Sequence, residues 1–332
     1  MKKKFILVTG CAGFIGFHVC ERLLKKNINV LGIDSLNSYY DVSLKKNRVK
    51  ILKKYKNFTY KKLDISNKKK FFQYIKKFKY DYIIHLAAQA GVRYSIIDPY
   101  SYTRNNIEAF LNILELSRSK KIKHLIYAST SSVYGANQKL PLKETDNVDH
   151  PIQFYAATKR SNELMAHAYS HLYKIPSTGV RFFTVYGPWG RPDMALFQFV
   201  FNIVKNKKIQ LFNSGDHYRS FTYIDDVVTA VIKLIYKIPK ISKRALPNQS
   251  KVAPFRIINI GNYKSESLKK YLEIIQKKLG KKAKIINLPL QAGDIKTTLA
   301  SIQNIKSLTG FVPSTKIYEG IGNFISWFKK YY

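Results

Sequence analysis

The stretch Thr9-Gly10-Cys11-Ala12-Gly13-Phe14-Ile15-Gly16 constrains this chain more than any other. It follows an apolar run, residues 4–8, that reads as a buried strand, and it opens a helix reaching about Lys26. Gly10 allows the tight turn between the two. Gly13 lets backbone approach a pyrophosphate, and Gly16 lets the helix pack on the strand. Phe14 and Ile15, between these glycines, join them as candidate cofactor contacts. A second strand, 29–33, ends at Asp34. A carboxylate there can accept from the ribose hydroxyls of a dinucleotide and repels an added phosphate, so NAD is expected rather than NADP.

The strand–helix pattern then recurs. Helices are expected at 43–55, 68–78, 101–118 and 152–173, and strands at 58–63, 82–86, 124–128 and 177–182. Such alternation predicts an α/β, doubly wound parallel sheet, in which ligands bind beyond the carboxyl ends of the strands. Gly10, Asp34, Asp64 with Ile65, Leu86 with Ala87-Ala88-Gln89, and Ser129 to Ser132 should therefore line one edge. Asp64 suits either a contact with adenine or ordinary turn chemistry. From Trp189 the character changes to Pro, Gly and short elements. Helices at 196–206, 267–279 and 318–331, strands at 209–212 and 256–260, and an exposed basic loop over 237–254 are expected. The division expected is a nucleotide-binding domain over 1–188 and a mainly substrate-binding part over 189–332, with returns to the first sheet near 213–236 and 254–262.

Tyr155 and Lys159 lie four residues apart on the 152–173 helix and so share a face. A nearby ammonium favours the phenolate and lowers a tyrosine pKa from about 10, which makes a base usable near neutral pH. A hydroxyl run after a strand, such as Ser129-Thr130-Ser131-Ser132, is by itself ordinary turn chemistry. Beside the glycine turn and Tyr-x-x-x-Lys it completes a triad. A hydroxyl holds the substrate alcohol, the phenolate removes its proton, and the lysine tunes the phenolate and grips the nicotinamide ribose.

Charge points elsewhere at first. A formal net charge of +38 suggests a nucleic-acid partner. Yet only 11 of the 58 basic residues are arginine, and the lysines are spread along the chain rather than gathered in one arm. Lys, Ile, Asn and Tyr are all served by A/T-rich codons, so genome bias accounts for the pattern and no nucleic-acid partner is expected. Anionic small substrates would still be attracted. No secretory leader and no membrane span is expected, because the apolar run after Met1-Lys2-Lys3-Lys4 is short and none elsewhere approaches ~20 residues. Two cysteines, Cys11 and Cys20, make no zinc site and suggest a reducing, cytoplasmic setting. No metal is expected.

Thr9-Gly10-x-x-Gly13-Phe14-Ile15-Gly16, Asp64-Ile65, the hydroxyl run and Tyr155-x-x-x-Lys159 together resemble the extended short-chain dehydrogenase/reductases, the Rossmann-fold sugar-nucleotide epimerases and dehydratases. Residues 39–45, 88–95, 155–167, 181–195 and 221–226 resemble the UDP-glucuronate 4-epimerase branch. The resemblance runs over nearly the whole chain. It implies that Tyr155 takes the proton from the sugar 4-hydroxyl, that bound NAD takes the C4 hydride, and that the 4-keto sugar turns over and receives it on its other face. It implies Thr130 as the partner hydroxyl, and Asn105 and Phe183 as further cofactor contacts. Related dehydratases carry an Asp-Glu pair, and related decarboxylases a Glu, where this chain has Ser131-Ser132. These serines, with Thr130 and Thr184, are candidates to hold the sugar carboxylate. Arg219 is the candidate for the pyrophosphate, which suits a planar donor fork. Arg93, Arg191 and Asp294 are candidate phosphate or sugar contacts. Phe212 either stacks on uracil or belongs to a core strand. Ser220, Gln291 and Ser301 depart from the usual pattern, which bears on the substrate half. Other UDP-hexoses (UDP-glucose, UDP-N-acetylglucosamine) and a non-enzymatic basic RNA-binding protein are the alternatives. The resemblance also implies a homodimer, formed through the helices at 101–118 and 152–173.

Overall fold

The computed structural model describes residues 4–242, 246–290 and 293–332. Gln291 and the first residues of the chain therefore lie outside it. The first half alternates as the pattern predicts: β1 Lys4–Thr9, α1 Phe14–Lys25, β2 Val30–Asp34, α2 Val42–Leu52, β3 Phe58–Lys62, α3 Lys68–Ile75, β4 Lys79–His85, α4 Ala109–Lys120, β5 His124–Thr130, α5 Phe154–Tyr173 and β6 Ser177–Phe182. Beyond it come α6 Ala195–Val204, β7 Lys208–Phe212, α7 Ile224–Leu234, β8 Phe255–Ile260, α8 Leu268–Leu279, β9 Lys284–Leu288 and α9 Ile317–Tyr331.

Seven strands form one parallel sheet in the order β8-β6-β5-β4-β1-β2-β3. Parallel strands flanked by helices are buried on both faces, so they read as apolar runs. Alternate residues feed two cores. Ile6 and Val8 pack with Phe17 of α1 and Val227 of α7. Leu7, Leu31 and Ile33 face the other way, against Phe71 of α3 and Phe110 of α4. β1 lies between β2 and β4, with Thr9 opposite Ile33 and His85. That register brings the glycine turn, Asp34 and Leu86 to one edge.

Three expectations change. The helix over 101–118 is interrupted: Pro99–Tyr102 is helical, Thr103–Glu108 is a π segment, and only then does α4 begin. The Asn106 carbonyl, freed by the wider turn, accepts from Asn162 Nδ2 at 2.6 Å, and the Asn106 side chain bonds both backbone groups of Gln89. The described part of 237–254 is not simply exposed. Asn248 is buried and donates to Ile257 O at 2.7 Å, so this segment covers the open edge of β8. Finally, β9 pairs parallel with β7. Its residues are mostly exposed and carry no inward–outward alternation, which is why the sequence pattern passes over it.

Candidate functional site

A cleft of about 750 Å³ opens beyond the carboxyl ends of β1, β2, β4 and β5 and continues over β7, and every candidate residue named above lines it.

The glycine turn forms its floor. Gly10 has φ +73, and a Cβ there would stand 2.7 Å from Ala87 N. A Cβ on Gly16 would stand 2.0 Å from Gly10 O, and one on Gly13 3.0 Å from the same oxygen. The third glycine thus lets the helix start against the turn itself. Gly13 caps α1 with no side-chain hydrogen bond, so the first N–H groups of the helix stay open toward the cleft, where an anion is favoured. Cys11, inside this turn, is fully buried, and burial pushes its thiol well above the usual range. Asp34 accepts from Ala12 N (3.0 Å) and Leu36 N (2.8 Å), which fixes the turn relative to β2. Burial raises its pKa, against the opposing effect of those bonds and of Lys45 and Arg48. Asp64 accepts from Ser66 N and Oγ at 2.9 and 2.8 Å, so one of its oxygens serves the turn while the side chain borders the cleft. A carboxylate at the end of β2, an open helix N-terminus and a floor without Cβ atoms fit a dinucleotide.

Tyr155 and Lys159 both border the cleft. Burial raises the pKa of Tyr155, and Arg191 and Thr130 draw it down. Lys159 donates to Asn162 Oδ1 at 2.9 Å. Its own pKa falls to about 7 through burial, which Glu163 partly opposes. Lys159, at the cleft wall, is 2 % exposed, and Asn162 is its acceptor. Thr130 borders the cleft beside Tyr155 and helps to draw its pKa down. Thr130 also accepts from Ser132 N at 3.2 Å. Ser129 leaves the run: it donates to buried Glu163 at 2.6 Å, and Glu163 is clasped by Arg181 through two bonds of 2.9 Å.

Lys159 carries a stability consequence. Its folded pKa of about 7 lies below the ordinary 10.5. Between those values the unfolded chain binds more protons, so stability rises with pH across the window, and the burial penalty is complete below about pH 7. Replacing Lys159 by Met is expected to raise Tm more at about pH 6 than at about pH 9.5. Equal gains at both pH values in thermal melts would contradict this.

On the substrate side, most candidate cations already have partners. Arg219 donates to Asp294 at 2.9 Å and to Lys296 O at 2.8 Å, and His217 approaches the other Asp294 oxygen at 3.2 Å. The Arg93 guanidinium lies 4.6 Å from the centroid of the Phe212 ring, so Phe212 borders the cleft with one face already covered. Arg191 donates to both oxygens of Asp193, at 3.0 and 2.5 Å, and Tyr39 OH donates to the same carboxylate at 3.1 Å. Ser131, Ser132 and Thr184 border the cleft with Thr130 and Tyr155.

Sequence reasoning assigned no role to Tyr39, Lys45, Asn106, Asn162, Glu163, Asp193 or His217. One signal was available on α5. Its buried face is Ala156, Thr158, Lys159, Asn162, Glu163, Ala166 and Ser170, small or polar throughout, which marks a face held by hydrogen bonds rather than by apolar packing.

Residues 6–261 match the family described as "NAD dependent epimerase/dehydratase family". The chain belongs to that family. It is 48% identical over 331 residues to Protein CapI of Staphylococcus aureus, covering 98% of this chain and 99% of the relative. It is 44% identical to a probable UDP-glucuronate 4-epimerase of Rhizobium meliloti, covering 98% and 97%. Its fold is similar to that of the UDP-glucuronic acid 4-epimerase of Bacillus cereus, crystallised with UDP-glucuronic acid and NAD. That comparison has a TM-score of 0.88 and 32% identity, and covers 99% of this chain and 100% of the other. In this epimerase/dehydratase the expectation of a parallel, Rossmann-type sheet holds. Among the described residues, no helix is long and apolar enough to cross a membrane.

Proposed function

We propose that this chain is a UDP-glucuronate 4-epimerase that interconverts UDP-glucuronate and UDP-galacturonate with bound NAD. The observation that carries this reading is a single cleft edge that brings Tyr155 together with Thr130, Ser131, Ser132 and Thr184, with hydroxyls where a competing reaction would call for an acid. NAD, when bound, supplies the acceptor and later the donor for the hydrogen on sugar C4. Gly10, Gly13 and Gly16 with the open start of α1 hold its pyrophosphate, and Asp34 its ribose. Thr130 holds the 4-hydroxyl, and Tyr155 removes its proton and returns one at the end. Arg191 and Thr130 favour the anionic form of Tyr155 against the effect of burial. Arg219 and Arg93, on the far side of the cleft, bind the UDP moiety, and Arg219 reaches the pyrophosphate from its Asp294 anchor.

The 4-keto uronate is a β-keto acid. It loses CO2 when its carboxylate stands perpendicular to the ketone, and hydrogen bonds from Ser131, Ser132 and Thr184 hold the carboxylate out of that orientation. The Ser132→Glu variant is therefore expected to release UDP-pentose at several times the wild-type level; product NMR showing only hexuronates would overturn this role. The main test supplies purified protein with UDP-glucuronate, UDP-glucose and UDP-N-acetylglucosamine separately and identifies products by NMR. Galacturonate product from the first alone is expected; turnover of the other two in preference would reassign the substrate.

We place the enzyme in the cytoplasm, where the free thiols of Cys11 and Cys20 stay reduced. It acts as a homodimer. α5 turns its large apolar residues outward: Leu164 is 56 % exposed and Leu172 65 %, with Leu111 of α4 at 41 %. A helix with its polar face inside and its apolar face outside calls for a partner. Leu164→Asp combined with Leu172→Asp should halve the mass seen by light scattering; an unchanged mass removes this interface.

A further inference from the structure

The segment that leads from the nucleotide-binding sheet into the substrate side of the cleft is held by an unusual device. Its three consecutive carbonyls, at Pro188, Trp189 and Gly190, all accept hydrogen bonds from side chains of the dinucleotide half. His18 on α1 bonds Pro188 O at 2.9 Å. Burial lowers the His18 pKa to about 4, so the ring is neutral and Nε2–H is the donor. Arg48 on α2 bonds Trp189 O at 2.6 Å and Gly190 O at 3.3 Å through Nη2. Its other terminal nitrogen, Nη1, donates to Ala12 O of the glycine turn at 2.7 Å and to Tyr40 OH at 2.8 Å. Four of the five guanidinium donors are used, and only Nε has no partner.

Arg48 is completely buried, and its described hydrogen-bond partners are all neutral oxygens. Asp34 is the carboxylate it acts on through space, yet all four of its described hydrogen bonds go to neutral oxygens, so ion pairing alone accounts poorly for its placement. What it gains is geometric: one planar fork reads the dinucleotide turn and the linker at once. The linker is itself constrained. Trp189 has φ +60, which a bulky residue adopts only where its surroundings dictate it. Its ring packs against Phe17, Trp327 and Tyr331. One residue past Gly190 the chain places Arg191, and then Asp193, at the cleft. There Asp193 receives Tyr39, which comes from the same 37–48 segment as Arg48.

We propose that Arg48 is a positioning residue that locks the 188–193 linker onto the dinucleotide turn, so that the cleft stays closed while the oxidised sugar turns over. The inference rests on the epimerase reading. The reaction makes such a lock necessary. Once the sugar has given up its C4 hydrogen with two electrons, the ketone must rotate inside the cleft without leaving. If it escapes, the two electrons and the hydrogen remain on the dinucleotide, and the enzyme stalls in a reduced form absorbing near 340 nm.

The test uses full-length Arg48→Lys and Arg48→Met. Both variants are expected to raise KM for UDP-glucuronate at least tenfold while kcat falls less than threefold. Reduced dinucleotide formed per product released, read at 340 nm, should rise at least tenfold. A lower Tm with KM and stalling at wild-type levels would show a purely structural residue and overturn the proposal. Hydrogen exchange supplies an arm that needs no sugar. The amides of Trp189, Gly190, Arg191 and Asp193 should exchange at least tenfold faster in Arg48→Lys, with those of β1 and β4 unchanged; unchanged linker exchange overturns the lock even if the substrate is another sugar. Wild-type protein that turns over no UDP-sugar would instead remove the epimerase reading and leave the exchange result standing. Should neither variant fold, Tyr39→Phe removes only the hydroxyl reaching Asp193. It is expected to raise stalling severalfold at unchanged Tm, and wild-type stalling there overturns the proposal.

Discussion

Tyr155→Phe is expected to lower turnover of UDP-glucuronate by at least ~10³-fold, within the range that positioned acid–base groups contribute. The change removes one oxygen and leaves the ring, which packs edge-on against Tyr102 with centroids 5.9 Å apart. Stability should therefore barely change, and dinucleotide should copurify as in wild type. A Tyr155→Phe protein retaining a tenth of the wild-type rate would mean that another group moves the proton. The pH profile gives a second check. Burial holds the Tyr155 pKa up in the protein alone, while Arg191 and Thr130 draw it down. Removing either of these two should move the alkaline shift further: in Thr130→Val the rising limb of kcat is expected at higher pH than in wild type, because the phenolate loses a donor. A limb that stays in place would separate the threonine from the titration.

Gly16→Ala carries the other large effect. The added methyl would fall 2.0 Å from Gly10 O, a backbone atom that cannot swing away. Either α1 shifts outward or the turn opens, and both displace the N–H groups offered to the pyrophosphate. We expect a destabilisation of roughly 3 kcal/mol, the upper end of overpacking costs, and a Tm lower by roughly 4 °C for a chain of this size. The protein should purify without dinucleotide, read as the loss of its near-ultraviolet contribution, and should not turn over sugar without added NAD. A Gly16→Ala protein with a full complement of cofactor and wild-type melting would mean that the turn is far softer than its contacts imply.

Much of this was legible before any coordinates. The run from Thr9 to Gly16 followed by Asp34 dictates a strand, a turn with no Cβ atoms, a helix and an acid, and steric exclusion leaves few other solutions. The same alternation carried the sheet as far as β6. What escaped the sequence depends on where side chains turn rather than where they attach. Tyr155 and Lys159 do share a helix, yet the bond from Lys159 to Asn162 is one that no spacing rule specifies. Arg48 read as one more cation in a basic helix, because burial of a charge on neutral carbonyls leaves no periodic trace. Arg219 was correctly placed at the cleft, but its commitment to Asp294 spans 75 residues and is invisible locally. The π segment at Thr103–Glu108 was hidden for the same reason: the Asn106 carbonyl within it finds its partner in Asn162 of another helix.

The burial of Cys11 inside the nucleotide-binding turn has a practical corollary. A thiol with no exposed surface, held far from its thiolate form, cannot meet an alkylating reagent while the turn is closed. Its labelling rate becomes a clock for the opening of that turn. The chain thus carries a built-in reporter of opening where the turn meets the core beneath β2.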